Sequence, residues 1–280
     1  MNKSSKVTDR VLTVILIVVC FVFFIPLLLV LLNSFKSKFT IISTPFALPN
    51  SETFVGFENY IKGITTSGFF GALGRSVFIT VGSVLLIVLG TSMTAWFITR
   101  IRNLWTKLLY VLFIFSMIVP FQMVMYTMVF TADRLHLNNP VGALVLYLGF
   151  GAGLSVFMFS GFVRSIPLEL EEAATIDGCK PLQLFFRIVF PVMRPTAVTV
   201  AVLNAMWIWN DYLLPYLVLG TEKYKTLPVT IQITMQGAYG SVDWGGFMAT
   251  LVLAIIPIVI FYLSCQKFII KGVIAGAVKG

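Results

Sequence analysis

Residues 169–195 read ELEEAATIDGCKPLQLFFRIVFPVMRP. Charged residues make up only 11% of the chain, yet four carboxylates, Glu169, Glu171, Glu172 and Asp177, crowd into the start of this stretch. It is flanked by two nearly uncharged runs, about 141–163 and 196–219. Each exceeds the ~20 residues that a helix needs to cross a hydrocarbon core of ~30 Å. A polar hairpin between two such runs is expected at a membrane surface.

Four more runs of the same kind span about 11–32, 76–98, 108–131 and 247–268. The chain of 280 residues is 58% hydrophobic, with a mean hydropathy of +0.96, well above the ~45–50% apolar content of soluble domains. Lipid leaves backbone polar groups no outside partner, so the spans must be helices. The sequence therefore predicts an all-α, polytopic membrane protein. It has six transmembrane helices and forms a single domain over 1–280. The first run extends from Val11 to Leu32, too long for the ~7–15-residue core of a cleaved signal, so it is expected to be retained as a span.

The distribution of Lys and Arg sets the expected orientation. With the N-terminus in the cytoplasm, 13 of the 20 basic residues fall inside and 7 outside. Both termini and the quoted hairpin are then cytoplasmic. This bias accounts for the formal charge of +9, so no nucleic-acid partner is implied. The three cysteines (Cys20, Cys179, Cys265) avoid the outer loops and suggest no disulfide framework. The single histidine, His136, has no companion at metal-ligand spacing.

The hairpin has local logic. Pro167 suits a helix start, and Glu169, Glu171 and Glu172 in the first turns complement the helix dipole. Asp177-Gly178 ends that helix through the left-handed conformation glycine allows. Pro181 opens a second helix and Pro191 is expected to stop it. In between, Leu182, Phe185, Phe186 and Val189 recur at i, i+3, i+4, i+7, the mark of one apolar face. Elsewhere, Pro26, Pro120 and Pro257 lie within spans, and Gly149, Gly151, Gly153 and Gly161 in or near the fourth. Close helix packing is the expected use of such small residues in membranes.

The segment EAATIDGCKPLQLFFRIVFP resembles the coupling loop of ABC-importer permeases. The positions that carry the resemblance are Glu172, Ala173, Ala174, Asp177, Gly178, Ile188 and Pro191. Phe190 departs from the usual leucine but is also large and apolar. GFENY after the first span, WNDYLLP in the fifth and the ending FIIKGVIAGAVKG are similar to the carbohydrate branch, the maltose-transporter type of inner-membrane permease. The resemblance implies a subunit of a bacterial cytoplasmic-membrane importer that moves a sugar or oligosaccharide. It implies a second homologous permease, two cytoplasmic ATPase subunits and an extracellular solute-binding protein as partners. In that family the hairpin is a coupling helix between the fourth and fifth spans, seated on the ATPase.

The chain contains no G-x-x-x-x-G-K-[ST] phosphate loop and no nucleophile–base arrangement. It is therefore expected not to be an enzyme. It should hold no cofactor or metal of its own, with ATP and Mg bound by partner subunits. The coupling loop alone leaves a non-sugar cargo open. An ion-coupled secondary carrier is a further alternative, although such carriers typically need intramembrane relays and repeats. One intramembrane carboxylate remains, Asp211 in LNAMWIWNDYLLPYL. Helical spacing places Asn204 and Trp207 near its face, and these three are the expected substrate-path residues, through ring stacking and hydroxyl hydrogen bonds.

Overall fold

The computed structural model describes residues 3–236 and 242–277. The last three residues of the FIIKGVIAGAVKG ending, and Gly237 and Gly240 of the last outer segment, lie outside them.

Thirteen helices follow one another among the described residues: α1 (Lys3–Asn33), α2 (Lys38–Ser43), α3 (Glu58–Ser67), α4 (Phe69–Arg100), α5 (Leu104–Ile118), α6 (Phe121–Arg134), α7 (Pro140–Val163), α8 (Leu168–Ile176), α9 (Pro181–Val192), α10 (Arg194–Asn210), α11 (Leu213–Leu219), α12 (Leu227–Gln236) and α13 (Trp244–Ala277). The all-α expectation holds. Four helices are long and apolar enough to cross a membrane, in α1, α4, α7 and α13, and the count reaches six if the bent pairs α5–α6 and α9–α10 are each one span.

The third expected span, 108–131, is not one straight helix. The chain bends by 108° between α5 and α6. Val119 is extended there (φ −75°, ψ 114°) and Pro120 caps α6. A residue before proline is pushed out of the helical region, so the break follows directly from the Val-Pro step. Pro26 and Pro257, by contrast, sit inside continuous helices.

The residues form two compact units. The first takes in the described residues within 1–70 and 230–257. Its α1 is apolar all round, and every large apolar side chain from Val11 to Leu28 is exposed, an arrangement that suits lipid rather than water. Beyond it, GFENY organises the loop that follows. Gly56 takes a positive φ of 57°. The buried Asn59 donates through Nδ2 to the carbonyls of Ser34 (2.8 Å) and Lys36 (2.9 Å), and the Ser34 and Tyr60 hydroxyls are 2.7 Å apart. Lys36 is fully buried, and its Nζ donates to the carbonyls of Thr44 (2.6 Å) and Ala47 (2.9 Å). Side chains thus pair backbone carbonyls that no helix or strand satisfies.

The second unit takes in the described residues within 71–229 and 258–280. Its core is built around α7, where Tyr147, Val156, Phe159 and Val163 are fully buried together with Ile87 of α4 and Val200 of α10. Small residues let this helix be approached closely. A Cβ on Gly153 would lie 2.7 Å from the Phe113 carbonyl oxygen, and one on Gly151 would lie 2.6 Å from Ile87 Cδ1. Gly149 and Gly161 have open space instead. The packing reading of the glycines therefore applies to two of the four.

Candidate functional site

The hairpin after α7 begins with α8, whose N-cap is Pro167. Asp177 ends it (φ −71°, ψ 1°), and Gly178 has a φ of +86°. Gly178 N–H donates to the Thr175 carbonyl and Cys179 N–H to the Ala174 carbonyl, both at 3.0 Å. This pair of bonds closes a helix end in the Schellman manner. The left-handed glycine is required by that closure.

The second arm departs from expectation. It does not stop at Pro191, because α9 runs on to Val192 and breaks only at Met193, where the chain turns by 78° into α10. Upstream, Phe185–Val189 widen into a π-type turn. Proline lacks an N–H and its ring presses on the carbonyl four residues back, and a widened turn absorbs both defects without ending the helix. The extra residue also splits the expected apolar stripe. Phe185 and Val189 are buried, joined by Leu184, whereas Leu182 and Phe186 are exposed.

What anchors the hairpin was not legible in the sequence. Glu171 is buried, and its carboxylate accepts two hydrogen bonds and forms one ion pair. Arg100 of α4 donates through Nε to Oε1 (2.8 Å) and its Nη2 forms an ion pair with the same oxygen at 2.6 Å, while the indole Nε1 of Trp96 donates to Oε2 at 2.9 Å. Arg100 Nη2 also donates to the Ile166 carbonyl at 3.0 Å. Trp96 in turn packs against Phe185 of α9, ring centroids 5.6 Å apart. One charge cluster at the end of α4 therefore holds α8, the segment before it and α9.

With Glu171 and Ala174 turned inward, the rest of α8 faces outward. Glu172, Ala173, Asp177 and Gly178 are exposed, Ile176 is 86% exposed, and Leu168 and Leu170 are about half exposed. Ala174 and the half-buried Ile188 belong to the inner side, and Pro191 is exposed. The residues expected from the loop pattern thus divide into an outward group of five and an inward pair. The outward edge combines small side chains, two carboxylates and apolar tips, a surface that a partner groove can cover.

The second constellation lies where α10 ends. Asp211 was expected inside a helix, but the helix stops at Asn210 and Asp211 is extended (φ −73°, ψ 122°). Its Oδ1 accepts from the Leu213 N–H (3.0 Å) as α11 begins, and its Oδ2 accepts from the Tyr147 hydroxyl at 2.9 Å. Trp207 meets Tyr147 edge to face with centroids 5.5 Å apart. Tyr147, fully buried on α7, is the residue that unites Trp207 with Asp211, and sequence spacing did not single it out. Asn204 is not part of this group. It is buried one and two turns away, donating to Ser155 Oγ (3.2 Å) and the Val200 carbonyl (2.9 Å). The space beside Asp211, lined also by Ser76, Thr80 and Thr226, is about 10 Å³, room for about one water.

Apolar helices long enough to cross a membrane, two bent helix pairs and a clamped, outward-facing polar hairpin define a polytopic membrane protein. Residues 86–275 match the family described as binding-protein-dependent transport system inner membrane component. The chain belongs to that family. It is 38% identical to the probable starch degradation products transport system permease protein of Thermoanaerobacterium thermosulfurigenes, over 99% of each chain. It is 36% identical to the multiple sugar-binding transport system permease protein of Streptococcus mutans, over the whole of both chains. It is 32% identical to the melibiose/raffinose/stachyose import permease protein of Bacillus subtilis, again over the whole of both. Among solved structures, a chain of a bacterial ABC transporter involved in the import of the acidic polysaccharide alginate superposes with a TM-score of 0.81, at 20% identity over 95% of this chain and 98% of that one. At that identity the likeness establishes the fold.

Proposed function

We propose that the chain is the permease subunit of a binding-protein-dependent ABC importer that carries a sugar or oligosaccharide across the bacterial cytoplasmic membrane. Both termini are cytoplasmic in this reading, and an extracellular solute-binding protein delivers the cargo. A second homologous permease completes the pathway, and two ATPase subunits bind ATP and Mg and perform the hydrolysis. The names of three relatives over nearly the full chain, for starch products, multiple sugars and melibiose-type oligosaccharides, support a carbohydrate cargo.

The observation that carries the coupling role is the clamp on α8. A surface that passes force must be rigid on its inner side and open on its outer side. Glu171 is buried with two hydrogen-bond donors and an ion pair, while Glu172, Ala173, Asp177 and Gly178 face outward. Nucleotide-driven closure of the ATPases, pressing on this edge, moves α8, and the Arg100–Glu171–Trp96 cluster passes that movement to α4. The break after Asn210, with Trp207 and Asp211 on either side and Asn204 deeper along α10, is proposed to line the cargo path. Trp207, 41% exposed, offers the stacking face, while Asp211 and Tyr147 position the break.

Reconstitution with the cognate ATPase and binding protein tests this. Wild-type vesicles are expected to take up labelled oligosaccharide when ATP is present, and a Gly178→Glu variant to insert normally but take up none. Normal uptake by that variant sinks the coupling role of the hairpin. Uptake that follows an ion gradient without ATP sinks the importer reading altogether.

A further inference from the structure

The second unit contains a cavity of about 640 Å³ that neither the coupling hairpin nor the α10 break uses. Its lining carries three cations, Arg102 and Lys107 from the turn into α5 and Arg164 from the end of α7. Among the described residues, none of the three is within 4.0 Å of a carboxylate. The nearby Arg100 differs, because Glu171 neutralises it. Three like charges gathered around one hollow repel one another, an arrangement that favours an anion between them.

The rest of the lining suits a phosphate group. Arg164 lies over the Tyr110 ring, its Cζ 5.3 Å from the centroid, which fixes the guanidinium at the rim. Guanidinium groups match phosphate oxygens with paired N–H donors. Asn103 caps α5, its Oδ1 accepting from the Thr106 N–H at 2.9 Å, so that helix starts at the cavity with the positive end of its dipole.

The surroundings point to lipid as the source. Next to the cations, Leu104 is 80% and Trp105 73% exposed. An exposed tryptophan beside Lys and Arg at the end of an apolar helix is the composition of the membrane–water interface. Basic pockets between helix ends at that level are suited to anionic headgroups. We propose that the cavity bounded by Arg102, Lys107 and Arg164 binds the phosphate group of an anionic membrane lipid, seated at the surface that carries the hairpin. Its occupancy then links the turn between α4 and α5 to the end of α7, from which the hairpin springs.

The test uses the full-length protein in its transport complex, with dioleoyl phosphatidylglycerol and sodium phosphate as separate probes and native mass spectrometry as the readout. Arg102→Gln/Lys107→Gln/Arg164→Gln removes the three cations, all on exposed residues. Arg10→Gln/Lys180→Gln/Arg194→Gln makes the same charge change elsewhere among exposed residues. At about fivefold per cation, the first variant is expected to bind phosphatidylglycerol roughly 100-fold more weakly, and the second to stay near wild type. Sodium phosphate bound with the same dependence while phosphatidylglycerol is not held supports the phosphate site and assigns it to a soluble anion. Equal loss in both variants means a diffuse positive field and overturns the site, as does binding of neither probe.

Discussion

Arg100→Met is the substitution that isolates the clamp on the hairpin. It removes one of the two hydrogen bonds to the Glu171 carboxylate together with its ion pair, and leaves only the Trp96 indole. The side chain of Glu171 is 7% exposed and that of Arg100 19%, so the orphaned carboxylate stays largely out of water. Removing one member of a buried pair costs about 3–5 kcal/mol. The partial access of water to Arg100 places this pair at the low end, about 3 kcal/mol, which corresponds to roughly a hundredfold change in a local equilibrium. Amide hydrogen exchange over residues 168–176 is expected to speed up by that factor, while the spans keep their protection. In the reconstituted complex, uptake falls and ATP hydrolysis continues without it. The double variant Arg100→Met/Glu171→Leu replaces both charges with apolar groups, and exchange is expected to return to within about tenfold of wild type, because replacing both partners is far milder than removing one. Unchanged exchange in Arg100→Met, or a double variant as open as the single one, refutes the clamp.

Three further outcomes follow from the geometry. Gly178→Ala places a Cβ at φ +86° with nothing within 4 Å, so its cost is conformational alone, about 1–2 kcal/mol. Uptake should fall, and Gly178→Asn should fall less, which initial transport rates resolve. Gly153→Ala sets a Cβ 2.7 Å from the Phe113 carbonyl and should destabilise the α5–α7 packing by about 1–3 kcal/mol, seen as a lower melting temperature. Asp211→Asn keeps an acceptor for Tyr147, whereas Asp211→Ala leaves that buried hydroxyl unpaired at a cost of about 1–3 kcal/mol. If Asp211 positions the break, the alanine variant loses stability and the asparagine variant keeps most of it. Equal loss of uptake by both, with stability intact, assigns the carboxylate to the cargo instead.

Local features of the hairpin were readable in the sequence because they are backbone chemistry. Asp177-Gly178 predicts a left-handed helix end and Pro181 a helix start, and both occur. Pro191 misled, since a widened turn lets the helix pass it. Pro120 misled in the opposite sense, because a pattern of apolar residues does not distinguish a kink from a 108° break. The Arg100–Glu171 pair spans 71 positions, and nothing local separates Glu171 from Glu169 or Glu172. Helical periodicity put Asn204, Trp207 and Asp211 on one stripe, but the helix ends before Asp211, and Tyr147 from another helix assembles the group. Periodicity works within an element, and these sites are made between elements.

The most direct measurement is a cross-link from the outward face of α8. A photoreactive residue at Ile176, 86% exposed, is activated in native membranes, and the adduct is identified by mass spectrometry beside a control at Phe46, 78% exposed on the segment after α1. The coupling role predicts an ATPase subunit joined to position 176 and not to position 46, with a yield that changes when ATP is added. Adducts at position 176 that contain only lipid or the chain itself, with or without ATP, contradict it.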